Sequence, residues 1–115
     1  VYRFRNNVWD RLLEVPRRPP FLVVGADVFD GKLYVLERHL GGLSGFSTRI
    51  RRFSLEDTLT NEEVLLLTRA GDYDNLEGIS VWRDDAGVIR TTLISDDNFN
   101  FFQQTQIAEF VLIAP

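Results

Sequence analysis

A chain of 115 residues that is 44% hydrophobic can bury one modest core and is too short for two ordinary domains. Its formal charge of -4 and pI near 4.9 argue against nucleic-acid phosphates or an anionic membrane surface as general partners, although Arg17-Arg18 and Arg49 to Arg52 are local basic spots. No run approaches the ~18 apolar residues that span a bilayer, and the N-terminus lacks signal-peptide form.

Cysteine is absent, which excludes disulfides, thiolate metal sites and a cysteine nucleophile. Methionine is absent as well, so the chain is expected to be a processed or excised piece of a longer protein.

Short runs rich in β-branched and aromatic residues, bounded by Gly, Pro, Asp and Asn, recur along the chain without a sustained helical period. In order, strands are expected near Tyr2 to Arg5, Val8 to Val15, Phe21 to Val28, Lys32 to Glu37, Thr48 to Ser54, Val64 to Thr68, Glu77 to Trp82, Val88 to Ser95 and Gln106 to Ile113. Leu55 to Glu63 (LEDTLTNEE) reads as a polar hairpin loop, with a turn of helix capped by Thr60 and Glu63 as the alternative. Trp9, Trp82 and the phenylalanines read as core, FNFF (Phe99 to Phe102) as a loop plug or association surface, and Arg49, Arg51 and Arg52 as a solvated strand face.

The order of elements repeats. Gly25 recurs as Gly78 and Phe53 as Phe110, at a spacing close to the ~40–50 residues of a propeller blade with allowance for longer loops. LERH (Leu36 to His39) aligns with LISD (Leu93 to Asp96), and Phe4 takes the place of Phe53 in an earlier half-copy. LYVLE is apolar on both faces, as a sheet between two neighbouring sheets requires.

The expected class is therefore all-β, with antiparallel four-stranded blades of a β-propeller: half a blade over 1–16, one blade over 21–68 and three strands of the next over 77–113. About four to eight blades close a propeller. A piece of this size is thus expected to belong to a larger ring or to self-associate through exposed blade faces, with an open sandwich as the plainer alternative.

Two acidic clusters flank one expected strand pair. Asp72, Asp74, Asn75 and Glu77 lead into it, and Asp96, Asp97, Asn98 and Asn100 follow it. Hard oxygen donors at strand ends suit Ca²⁺, which takes ~6–8 oxygens. Gly78 lets the backbone approach closely beside the Glu77 carboxylate. Turn formation is the alternative role for the Asp and Asn residues.

SDDNFN is not a helix-loop-helix calcium loop, because no Gly stands at its sixth position and Ile107 stands at its twelfth. Arg38 and His39, the only histidine, would open onto the same face and could contact an anion such as phosphate. GLSGF (Gly42 to Phe46) fails as a nucleophile elbow because Phe46 replaces the final Gly. No catalytic residue is identified from these patterns.

NLEGISVW, TTLISDDNF and QTQIAEFVL, preceded by GKLYVLERHL and RIRRFSL, together resemble the C-terminal part of the bacterial phytase-like family described as esterase-like activity of phytase. More distantly the chain is similar to calcium-dependent β-propeller phytases, in which an Asp-x-Glu-Gly element precedes a comparable strand pair. The resemblance implies a propeller, a periplasmic or secreted protein, and calcium-assisted hydrolysis of a phosphate ester or another small-molecule ester. By the same resemblance Glu77 faces calcium, Asn75 takes the place of the phytase Asp, and Asp96, Asp97 and Asn98 match the family's own pattern; Asp74 joins them as a metal candidate from the cluster itself, and Arg38 and His39 are substrate-binding candidates from the repeat. Asn75 stands where the phytases carry Asp, which removes one negative charge. A non-catalytic binding or structural module with calcium-stabilised loops, and a lactone or carboxyl ester hydrolase, are the alternatives.

Overall fold

Alternating side chains and Gly, Asn or Asp turns divide the chain into nine strands in the computed structural model, which describes residues 2–11, 13–56, 58–95 and 105–113. Strands β1 (Tyr2–Arg5) and β2 (Val8–Arg11) form a hairpin turned by Asn6 and Asn7, both at positive φ. Strands β3 (Leu22–Phe29), β4 (Lys32–Leu40), β5 (Phe46–Leu55) and β6 (Leu59–Leu67) form a four-stranded antiparallel meander. Strands β7 (Leu76–Arg83), β8 (Ile89–Ser95) and β9 (Ile107–Val111) form a three-stranded one. The protein is all-β and antiparallel, as the sequence predicts. Among the described residues no helix is long and apolar enough to cross a membrane.

One expected loop is mostly strand. Leu55 pairs with Leu59, so the β5–β6 loop is confined to 56–58 and Thr60 to Glu63 belong to β6. The polar residues tolerate a strand because Glu62 and Glu63 pair with Arg51 and Arg52 of β5. Strand β4 also runs beyond Glu37 to Leu40, which places Arg38 and His39 inside the ladder.

The internal repeat extends to the backbone. In the first sheet the β3–β4 register shifts between Val23 and Gly25; in the second the β7–β8 register shifts between Leu76 and Gly78. Val24 and Glu77 are thus the same bulge residue in two copies. Val23 pairs with Glu37 and Leu76 pairs with Ser95, so Glu37 corresponds to Ser95. The LERH-to-LISD alignment, which equates Glu37 with Ile94, is corrected by one position, because strand pairing and not residue similarity sets the match.

Strand β4 is buried on both faces. Tyr34 and Leu36 join Ile50 and, from the second sheet, Leu76, Val81 and Leu93 in one cluster. Leu33 and Val35 pack with Phe53 on the opposite face, against Val15 and Leu59. Leu36, Leu76 and Leu93 are 0% exposed, and each contributes about 1.5–3 kcal/mol by burial. Aromatic content alone misplaces part of this core: Phe4, Trp9 and Trp82 are 55%, 69% and 38% exposed. Phe4 and Trp9 instead stack on each other with centroids 5.2 Å apart.

The arginines of β5 are not a solvated face. Arg51 is fully buried and its guanidinium bonds Glu37, Glu62 and the Pro16 carbonyl, while Arg49 bonds Glu37 and the Arg18 carbonyl. These bonds clamp the segment before β3 over the sheet. The Arg51 hydrogen bond, followed by nearby positive charge, holds the Glu62 carboxyl below its ordinary value of 4.5. A carboxylate depressed on folding stabilises the protein above its unfolded pKa and loses that contribution as pH falls through the folded one. Stability is therefore expected to fall below about pH 4.5 less steeply in Glu62→Gln than in the wild type, as thermal melts at stepped pH would show. Parallel pH profiles would remove Glu62 from this account.

Candidate active site

Bulging at Glu77 sets the site. The extra residue turns its side chain out of the β7 alternation, toward the β4 strand of the neighbouring sheet. There Arg38 Nη1 donates to Glu77 Oε1 at 2.7 Å and also bonds Asn75 Oδ1. Asn75 Nδ2 donates to the same Glu77 oxygen at 2.9 Å, and Asn75 is 2% exposed. The three side chains thus form a closed triangle across two sheets, with the Phe46 ring 5.6 Å from the guanidinium carbon.

Behind the triangle lies a polar brace. Asp74 Oδ1 accepts the Asn75 N–H at 2.8 Å, and the Asp74 N–H donates to Gln106 Oε1 at 2.9 Å. Gln106 in turn donates its backbone N–H to Ser95 Oγ at 2.6 Å. Asp72 serves a different purpose: its Oδ2 accepts the Arg69 N–H and closes a turn. Gly78 is needed for close approach, since a Cβ there would lie 2.6 Å from Ile94 Cγ2.

Arg38 and His39 are neighbours in β4, so they leave it on opposite faces. His39 packs beside Phe21, with ring centroids 5.8 Å apart. Both still border one cleft of about 330 Å³, together with Pro20, Leu22, Leu40, Phe46 and Asn75. A second cleft of about 410 Å³ shares the Phe46 wall and is bordered by Asp72, Asp74 and Gln106.

Of the residues singled out from sequence, Arg38, Asp74, Asn75 and Glu77 come together and His39 lies at the rim. Asp96, Asp97, Asn98, Asn100 and the FNFF run fall outside the described residues. Gln106 and Phe46 were not anticipated. No motif marks Gln106, and only the pairing of the last two strands brings it to Ser95.

The donor set bears on calcium. Asp74, Asn75 and Glu77 offer hard oxygens of the right type. The cation that Glu77 Oε1 and Asn75 Oδ1 face here is the Arg38 guanidinium. Among the described residues no three of His, Cys, Asp and Glu gather as a metal-binding group. The donor atoms are of a type calcium takes, but only Asn75 and Glu77 converge and Arg38 lies between them, well short of the ~6–8 oxygens of a calcium shell.

The model of the phytase-like family, described as esterase-like activity of phytase, matches residues 4–99. The chain belongs to this family. The phytase-like match runs from β1 through β8 and takes in Arg38, His39, Asp74, Asn75 and Glu77, so the triangle lies within the shared region. No curated protein and no solved structure matches the chain.

Proposed function

We propose that this chain forms one wall of a phytase-like hydrolase site that binds a phosphate ester and cleaves it with the help of calcium. The observation that carries the reading is the convergence of Arg38, Asn75 and Glu77 across two sheets at a cleft that His39 also borders. The recurring bulge and the two-sided burial of β4 support placing this wall in a β-propeller of which about two blades are present.

A guanidinium has five N–H donors in a planar fork, and Arg38 uses only Nη1 in the triangle. The remaining donors match two oxygens of a phosphate group, and Glu77 with Asn75 fixes the orientation of the fork before the substrate arrives. His39 at the rim adds a ring N–H donor. Pro20, Leu22, Leu40 and Phe46 give the cleft apolar walls, although Leu22 and Leu40 are themselves exposed. Calcium held by Glu77 and Asn75 would have to displace the Arg38 guanidinium from the oxygens it occupies, and bound there it would supply Lewis-acid polarisation of a phosphoryl oxygen. An exported setting, periplasmic or secreted, belongs to the same proposal.

The test uses a protein that contains this chain. Arg38→Gln is expected to weaken phosphomonoester binding about tenfold, a loss of ~1.4 kcal/mol. Glu77→Gln is expected to abolish the stimulation of hydrolysis by calcium. Hydrolysis that is unchanged in Glu77→Gln, or absent with and without calcium, would rule the reading out. The 2.7 Å Arg38–Glu77 pair also favours a second reading, in which the triangle only fastens two sheets of a non-catalytic module. Calcium that raises the melting temperature without supporting turnover would select it.

A further inference from the structure

One row of side chains on the first sheet runs past the start of the second. Leu22 pairs with Arg38 across β3 and β4, and Leu40 pairs with Phe46 across β4 and β5, so these side chains leave the sheet on the face that also carries Leu36. Leu36 is buried in the cluster it shares with Leu76 of β7, and Arg38 meets Asn75 and Glu77. Further along the row Leu22 and Leu40 are 63% and 58% exposed. An apolar shelf with a guanidinium beside it is the result, and it borders the cleft of about 330 Å³.

We infer, on the phosphate-ester reading above, that the ester this cleft takes carries a single phosphate joined to an aryl or alkyl group. The phosphate lies on Arg38, and the apolar group covers Leu22, Leu40 and the Phe46 ring.

Charge limits the substrate to one phosphate. Arg38 carries the one permanent positive charge among the side chains that border the cleft, and Glu77 already offsets part of it. A second phosphate would rest on the leucines, which offer no donor, or past Phe46 against Asp72 and Asp74 of the adjoining cleft, where like charge repels it. The leucines set the other end. Hydroxyls of a polyol find no partner on Leu22 or Leu40, whereas an apolar group gains by removing those side chains from water.

Three phosphonates, whose P–C bonds resist ester hydrolysis, test this: methylphosphonate, phenylphosphonate and methylenebisphosphonate. Each is titrated without calcium into a protein that contains this chain, into its Arg38→Gln variant and into a double variant, Leu22→Thr with Leu40→Thr. Phenylphosphonate is expected to bind about fivefold to tenfold more tightly than methylphosphonate, the effect of covering ~40–55 Å² of apolar surface, and methylenebisphosphonate no more tightly than methylphosphonate. In the double variant the two monophosphonates should bind within about twofold of each other, and Arg38→Gln should weaken both about tenfold. Equal binding of the two monophosphonates by the unaltered protein, tightest binding of the bisphosphonate, or a phenyl preference that survives in the double variant would overturn the inference and leave the phosphate site standing. No binding of any of the three would overturn that site and the inference together.

Discussion

Glu37→Gln is expected to cost this protein about 3 kcal/mol, enough to lower its melting temperature by roughly 12–20 °C. Glu37 is 1% exposed and accepts four hydrogen bonds from two arginines. An amide of the same shape keeps one acceptor oxygen and turns its NH₂ toward guanidinium N–H groups. Arg51, at 0% exposure, cannot turn to water for compensation.

The loss should exceed that of Glu62→Gln, because Glu62 is 31% exposed and such pairs contribute only ~0–1 kcal/mol. Replacing both partners, Glu37→Leu with Arg51→Met, should recover much of the loss, since a buried pair exchanged for apolar groups is often neutral. Urea unfolding of the four proteins checks the order. A Glu37→Gln variant no less stable than Glu62→Gln would show that the buried network is not what holds the segment before β3 to the sheet.

That network marks the limit of what the sequence discloses. Strand positions are legible because alternation and turn residues are local; their ends are less so, since β2 stops at Arg11 where a strand to Val15 is expected, β4 runs on to Leu40, and LTNEE pairs despite its polarity. The partners of Arg49 and Arg51 lie on two other strands and on the segment around Pro16 and Arg18. Nothing near them in sequence distinguishes a buried arginine from a solvated one, and the arginines are therefore misread as surface.

The site divides the same way. Glu77 beside Gly78, and the shared face with Arg38, follow from the repeat. That Arg38 points its charge at Glu77 does not, because the pairing is created by packing one sheet on the next. Asp74 and Asn75 are legible as polar residues of a turn or a ligand set; that Asn75 bonds Arg38 and Glu77 while Asp74 braces it is set by the packing of the sheets and is not.

Packing of the two sheets is also where a distant change should reach the site. Gly25 of β3 lies against β7, and a Cβ there would sit 2.7 Å from the Glu77 carbonyl oxygen and 3.5 Å from Ile79 Cγ2. A backbone oxygen cannot rotate away as a side chain can, so Gly25→Ala must push the strands apart. Overpacking of this kind costs about 1–3 kcal/mol. Two positions along β3, Asp27 Oδ2 accepts the Val81 N–H at 2.7 Å, which ties the same strands and resists the separation.

The displacement should therefore fall on Glu77 and lengthen its contact with Arg38. Gly25→Ala is expected to lower stability by ~2 kcal/mol and to weaken phosphomonoester binding, although residue 25 does not border the cleft. Gly78→Ala provides the comparison: its Cβ would meet Ile94 Cγ2, a methyl that moves only with χ1 but on a half-exposed side chain rather than on fixed backbone, so a smaller loss is expected. Melting temperatures and hydrogen exchange at the Val81 amide separate the two. Equal and small losses would mean that the sheets yield freely at this contact, and the close approach of β3 to β7 would then have no part in positioning Glu77.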